Sequence, residues 1–158
     1  MGFPPVSEEH FGLVREFFSR DVCIRGTKPL RDRIEIAIFV DDRGPLTLTK
    51  EGGAPKVIQS APHSADLTFW VPLSALKEID ANKTNDLGEL GVAILKLMTH
   101  SDPNTRIKAK VHIGLFEFLR GGYLGVLPLG GTTVMKYLAS HGLTGIGKIK
   151  DAIAKLRH

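Results

Sequence analysis

NTRIKAKVHIGLFEFLRGGYLGVLPLGG, residues 104–131, changes its period at Gly114. Up to that point Ile107, Ala109, Val111 and Ile113 alternate with Arg106, Lys108, Lys110 and His112, the two-residue repeat of a half-buried strand. One face is dry and the other cationic. Beyond Gly114, Leu115, Phe116, Phe118 and Leu119 crowd a short helical segment. Gly121, Gly122, Gly125, Pro128, Gly130 and Gly131 then punctuate an apolar run of Tyr123, Leu124, Val126, Leu127 and Leu129. Connections run over surfaces and are mostly polar, so an apolar, glycine-rich one must be covered, either by the chain's own last helices or by an apolar ligand.

Outward from this stretch, Leu87, Leu90, Gly91, Ile94, Leu97 and Met98 form a helical stripe over 86–98, ended by Asp102 and Pro103. Leu67, Phe69 and Val71 alternate with Asp66, Thr68 and Trp70 as a strand over 66–71. Pro72 ends that strand and suits the first turn of a helix carrying Leu73, Leu76 and Ile79. A strand over 34–40 and two more around 46–49 and 56–60, separated by the turns Asp41–Gly44 and Glu51–Gly53, predict an antiparallel meander. Before it, Ser7 caps a helix with Phe11, Val14, Phe17 and Phe18 on one side, and 21–33 reads as a connection. After the glycine-rich run come helices over 133–140 and 147–156. In the last, Ile146, Ile149, Ile153 and Leu156 face one way, and Lys148, Lys150, Lys155 and Arg157 occupy the rest. No strand–helix alternation of the parallel kind runs through the chain. The expected class is α+β, a mostly antiparallel five-stranded sheet with helices on one face.

The 158 residues, 42% hydrophobic and 24% charged, suit one globular domain. One cysteine, Cys23, forbids an internal disulfide, and no segment reads as a signal peptide or spanning helix, so the default location is cytoplasmic. The charge is uneven. Residues 1–79 carry 10 basic and 11 acidic side chains, and residues 80–158 carry 11 and 6, so the net of +4 belongs to the second half. Such asymmetry suits an acidic partner, whether nucleic acid, an anionic membrane or a ligand's anionic group.

Enzyme signatures are missing. The six histidines show no i, i+4 pair around a carboxylate and no zinc-like interval, so neither a metal site nor another cofactor is expected. No G-x-S-x-G elbow and no phosphate-binding loop is present, and Cys23 reads as inert rather than as a nucleophile served by His10. No catalytic residue is assigned. Ser140 and His141 read as a helix end. Nucleic-acid binding ranks low because the aromatics, 7% of residues, fall at apolar positions of the periodic patterns rather than among the basic ones.

Taken together, ADLTFWVPLSALKEI at 65–79, DLGELGVAILKLM at 86–98 and DPNTRIKAKVHIG at 102–114 resemble the core of the sterol-carrier-protein family of small lipid-binding domains, over roughly residues 34–120. Where that family usually has glycine before its last strand, this chain has Asn104 and Thr105, and residues 115–131 are richer in glycine than the family's following helix. The resemblance implies a sheet and a helix layer enclosing an apolar tunnel, and non-enzymatic carriage of a fatty acyl chain, phospholipid, sterol-like or quinone-like lipid. With the periodicity it nominates Ile36, Ile38, Phe69, Val71, Leu90, Ile94, Leu97, Phe116, Leu119, Leu124, Leu127 and Met135 as tunnel lining. Arg106, Lys108 and Lys110 are the corresponding candidates for contact with a head group or an anionic surface; the other reading of that stripe is a solvated face that discourages edge pairing. The last helix reads either as an amphipathic cover or as a transient contact with an anionic membrane. A different class of function also fits: an accessory module presenting a hydrophobic intermediate to a partner enzyme.

Overall fold

The computed structural model describes residues 3–157; the side chain of Ile146, placed above in the stripe of the last helix, lies outside the described residues. Helix α1 (Glu8–Ser19) begins where expected, with Ser7 Oγ accepting from the His10 amide at 3.2 Å and Glu8 and Glu9 in the first turn. A short helix, α2 (Asp21–Gly26), then occupies part of what reads as a connection. Six residues are too few to show a period. Their helical turn is held from outside: Arg20, at its N-cap, donates to the carbonyls of Asp80 and Asn82, both at 3.0 Å.

The strands are β1 (Ile36–Val40), β2 (Arg43–Glu51), β3 (Ala54–Ile58), β4 (Leu67–Val71) and β5 (Lys108–Val111). Helices α3 (Leu73–Ala81) and α4 (Leu87–Met98) lie between β4 and β5. After β5 come α5 (Leu115–Arg120), a 3₁₀ turn (Tyr123–Gly125), α6 (Val126–Leu129), α7 (Gly131–Ser140) and α8 (Ile146–Arg157). Asp86 Oδ1 caps α4 through the Glu89 amide at 3.0 Å, and His141 is the C-cap of α7. The architecture is α+β, with a mostly antiparallel sheet.

Strand order is β3-β2-β1-β4-β5, and the one parallel neighbour pair is β1 with β4. The β3–β4 connection must therefore pass β2 and β1. It is tied down on the way: Thr47 Oγ1 donates to the Ser60 carbonyl at 2.7 Å, and the Glu35 carboxylate accepts from the amides of His63 and Ser64 at 2.9 and 3.1 Å.

The pairing register sorts the side chains into two faces. Ile36, Ile38, Val40, Leu46, Leu48, Val57, Leu67, Phe69, Val71, Ala109 and Val111 share the face that packs against the helices. The other face carries Ala37, Phe39, Thr47, Thr49, Thr68, Trp70, Lys108 and Lys110. One cation breaks the apolar side. Lys50 is buried, and its Nζ donates to the carbonyls of Thr27, Lys28 and Leu30 at 3.0, 2.8 and 2.7 Å, so all three ammonium protons are satisfied.

The 27–31 loop held by Lys50 also receives the glycine-rich segment. The Arg31 amide donates to the Gly121 carbonyl at 2.9 Å, and Gly122, at φ +85°, sits so close that a Cβ would overlap the Pro29 carbonyl oxygen. Tyr123 is buried beyond it, stacked on Phe118 with ring centroids 5.0 Å apart, and its hydroxyl donates to Asp66 Oδ2 at 2.7 Å. The chain thus covers part of its apolar connection with its own loop and rings.

Candidate functional site

The helix face of the sheet is filled by two apolar clusters rather than one. The first joins Ile36, Ile38, Leu46, Leu48, Val57, Leu67 and Val111 to Val14, Phe118, Tyr123, Ile149 and Ile153. The second joins Phe17, Val22, Cys23, Ala75, Ile79, Leu90, Leu97 and Ile107. Phe18, Phe69 and Val71 touch both and are half-buried. Strand β4 is interior, flanked by β1 and β5, and along it burial falls from Leu67, 6% exposed, to the half-buried Phe69 and Val71 at the seam between the two clusters. Ile94 and Met98 pack half-buried against the second cluster, and Leu115, Leu124, Val126 and Leu127 pack half-buried against the first.

The twelve residues nominated as lining divide three ways. Phe69, Val71, Ile94, Leu124 and Leu127 are half-buried around these clusters. Ile36, Ile38, Leu90 and Leu97 are buried outright; Leu97 also lines an open hollow between α3 and α4 with Ile79 and Ala93. Phe116, Leu119 and Met135 are corrections: they are 66%, 39% and 40% exposed. The reason is helical phase. Phe118 turns inward to stack on Tyr123, which puts Phe116 about 200° away and Leu119 about 100° away on α5. Arg120 lies over the outward Phe116 ring, 5.5 Å from its centroid. On α7, Val134 and Leu138 are the buried pair, and Met135 falls off that line.

The head-group candidates are not at the seam. Lys108 and Lys110 pair across β4 with Trp70 and Thr68, on the opposite face from Phe69 and Val71. Arg106 is committed elsewhere, its Nε and Nη2 donating to the carbonyls of His100 and Ser101 at 2.6 and 3.1 Å, where it closes the α4–β5 turn. On the lysine-bearing face, Phe39 and Trp70 stack with centroids 6.1 Å apart, and Phe3 meets Phe39 edge-on at 5.2 Å. At the β5 edge, where that face meets α8, Trp70, Lys108, Ala109, Lys110, Lys155 and Leu156 line an open hollow of about 590 Å³. The linear periodicity separates the aromatics from the basic residues; the register brings them together.

Two titratable groups are driven from their ordinary range. Burial pushes the Cys23 thiol up to about 11, against a smaller opposing pull from Arg20, so it stays protonated and unreactive at neutral pH. Burial, and then the hydrogen bond to Asp66, hold the Tyr123 phenol far above its usual value. Neither group offers a base or nucleophile near pH 7. Among the described residues no three His, Cys, Asp or Glu side chains are placed to share a metal ion, and no helix is long and apolar enough to cross a membrane.

No protein-family profile matches the chain, and no curated protein matches it. Among solved structures it is similar to a UbiJ-SCP2 ubiquinone synthesis protein, at 13% identity over 75% of this chain and 90% of that one, with a TM-score of 0.40.

Proposed function

We propose that the chain binds one apolar ligand in the seam over β4 and carries it without catalysis, acting as a single lipid-binding domain. The observation that supports this reading is the half-burial of Phe69 and Val71 on the helix face of an interior strand, between two separately filled clusters. A self-sufficient core closes over such positions. The energetics are adequate: an acyl chain of about 16 methylenes at ~0.8 kcal/mol each gains on the order of 10 kcal/mol before the costs of ordering and association. The resemblance of residues 34–120 to sterol-carrier domains points to the same ligand chemistry, a fatty acyl, phospholipid, sterol-like or quinone-like molecule.

A second reading, presentation of such a ligand to a partner enzyme, is favoured by Phe116 and Leu119, which are exposed three residues apart on α5 and so share one side of it. Native mass spectrometry of the purified chain, followed by organic extraction, tests the carrier reading. A lipid in near-stoichiometric amount is the expected result. An empty protein that also takes up no fluorescent acyl probe contradicts it and leaves the seam as loosely packed core.

A further inference from the structure

The hollow at the β5 edge of the sheet, where the lysine-bearing face meets α8, has a composition of its own. Its six lining residues include three lysines and no carboxylate. Lys108, Lys110 and Lys155 are exposed and form no ion pair among the described residues. Asp41 shares a neighbouring hollow with Trp70 and Lys108, and its Oδ1 accepts from the Leu73 amide at 2.9 Å. Two elements build the cationic edge. Lys108 and Lys110 come from β5, whereas Lys155 and the 37% exposed Leu156 come from α8, which lies beside that strand. Ile149 and Ile153 bury the inner side of α8 in the sheet's apolar cluster, so the basic end of the helix has a fixed place next to Trp70.

We propose that this face docks on an anionic phospholipid surface, with Lys108, Lys110 and Lys155 facing the lipid phosphates and Trp70 seated at head-group level. An indole beside a leucine and several lysines matches the layered polarity of a membrane interface, which takes up the apolar ring while leaving its N–H and the ammonium groups wet. The same charge suits a nucleic-acid backbone, but the rings do not. Phe39 and Trp70 are stacked on each other, and Phe3 closes the row edge-on, so few ring faces remain on which bases could stack. The docking face differs from the polar side of α8 read along its own sequence, because only Lys155 of that helix takes part. This inference names the partner of the carrier proposed above and rests on that reading.

Trp70, the sole tryptophan of the chain, reports directly. Its emission and the co-sedimentation of the protein are followed with vesicles of phosphatidylcholine alone and of phosphatidylcholine mixed with phosphatidylglycerol. The expected result is a blue shift and co-sedimentation with the mixed vesicles only, reversed by salt. The Lys108→Glu/Lys110→Glu double variant should bind them at least about tenfold more weakly, since each lysine near such a surface is worth about fivefold in affinity. Lys155→Glu, off the sheet, should weaken binding in the same direction if the double variant folds poorly. Equal binding to both vesicles, binding to neither, or stronger quenching of Trp70 by a single-stranded oligonucleotide than by the mixed vesicles overturns the proposal. Acyl-probe uptake is read in the same samples: uptake without vesicle binding removes the docking face and keeps the carrier, and vesicle binding without uptake does the reverse.

Discussion

The two sides of β4 obey different chemistry although they alternate residue by residue. Leu67, Phe69 and Val71 face the helices, whereas Thr68 and Trp70 face away, with Thr68 Oγ1 2.7 Å from His112 Nε2 and Trp70 paired across to Lys108. On the helix side what matters is how completely the cover closes. On the other side it is which charges the register gathers. The comparison shows why a strand pattern alone does not tell which surface a cationic stripe serves: Lys108 and Lys110 belong to the same strand as Ala109 and Val111 but not to the same surface.

The comparison breaks most severely where the helix-side cover is pinned. Gly122→Ala places a side chain against the Pro29 carbonyl at a backbone angle that L residues rarely adopt, and on the order of 3 kcal/mol or more of stability should be lost in chemical denaturation. Lys50→Met removes the ammonium from the other side of the same loop and takes away the Lys50 bond to the carbonyls of Lys28 and Leu30, while the Thr27 carbonyl keeps the Leu30 amide. A loss of about 3 kcal/mol is expected, with little effect on vesicle binding by the opposite face.

Tyr123→Phe is milder. It deletes the bond to Asp66 and should cost about 1 kcal/mol at neutral pH, and it sharpens the comparison through its pH dependence. Burial keeps both Tyr123 and Cys23 neutral in the folded chain at pH values where the unfolded chain ionises them. Their folded pKa values are raised, so their stabilisation is complete below the unfolded values and falls away as the pH climbs from 9 toward 11 and beyond. Denaturation midpoints followed over that range should fall more steeply for the wild type than for Tyr123→Phe. Phe116→Ser, at an outward position, should change stability by no more than about 0.5 kcal/mol, whereas a tunnel-lining phenylalanine would cost several times that.

The strands, the capped helices α1 and α4 and the proline-started α3 were legible because alternation, caps and breakers act within a few residues of chain. Helix α2 was not, since Arg20 fixes it through residues sixty positions away. Residues 115–131 were legible as apolar and glycine-rich, but not in their facing. Whether Phe116 or Phe118 points inward depends on Tyr123 reaching Asp66, and in α5, only six residues long, both phases are apolar. The lysines were visible as a stripe. Their company, Trp70 from β4 and Lys155 from α8, needed the register and the fold.

The most direct test of the seam is equilibrium binding of a fluorescent fatty-acid probe to three folded proteins: the wild type, Ile94→Trp and Phe116→Trp. Saturable one-site binding by the wild type is predicted, unchanged in Phe116→Trp and at least about tenfold weaker in Ile94→Trp, where the larger ring is added to a half-buried position on the same cluster as Phe69 and Val71. Undiminished binding by a folded Ile94→Trp, or no saturable binding by the wild type, would contradict a ligand seated over β4.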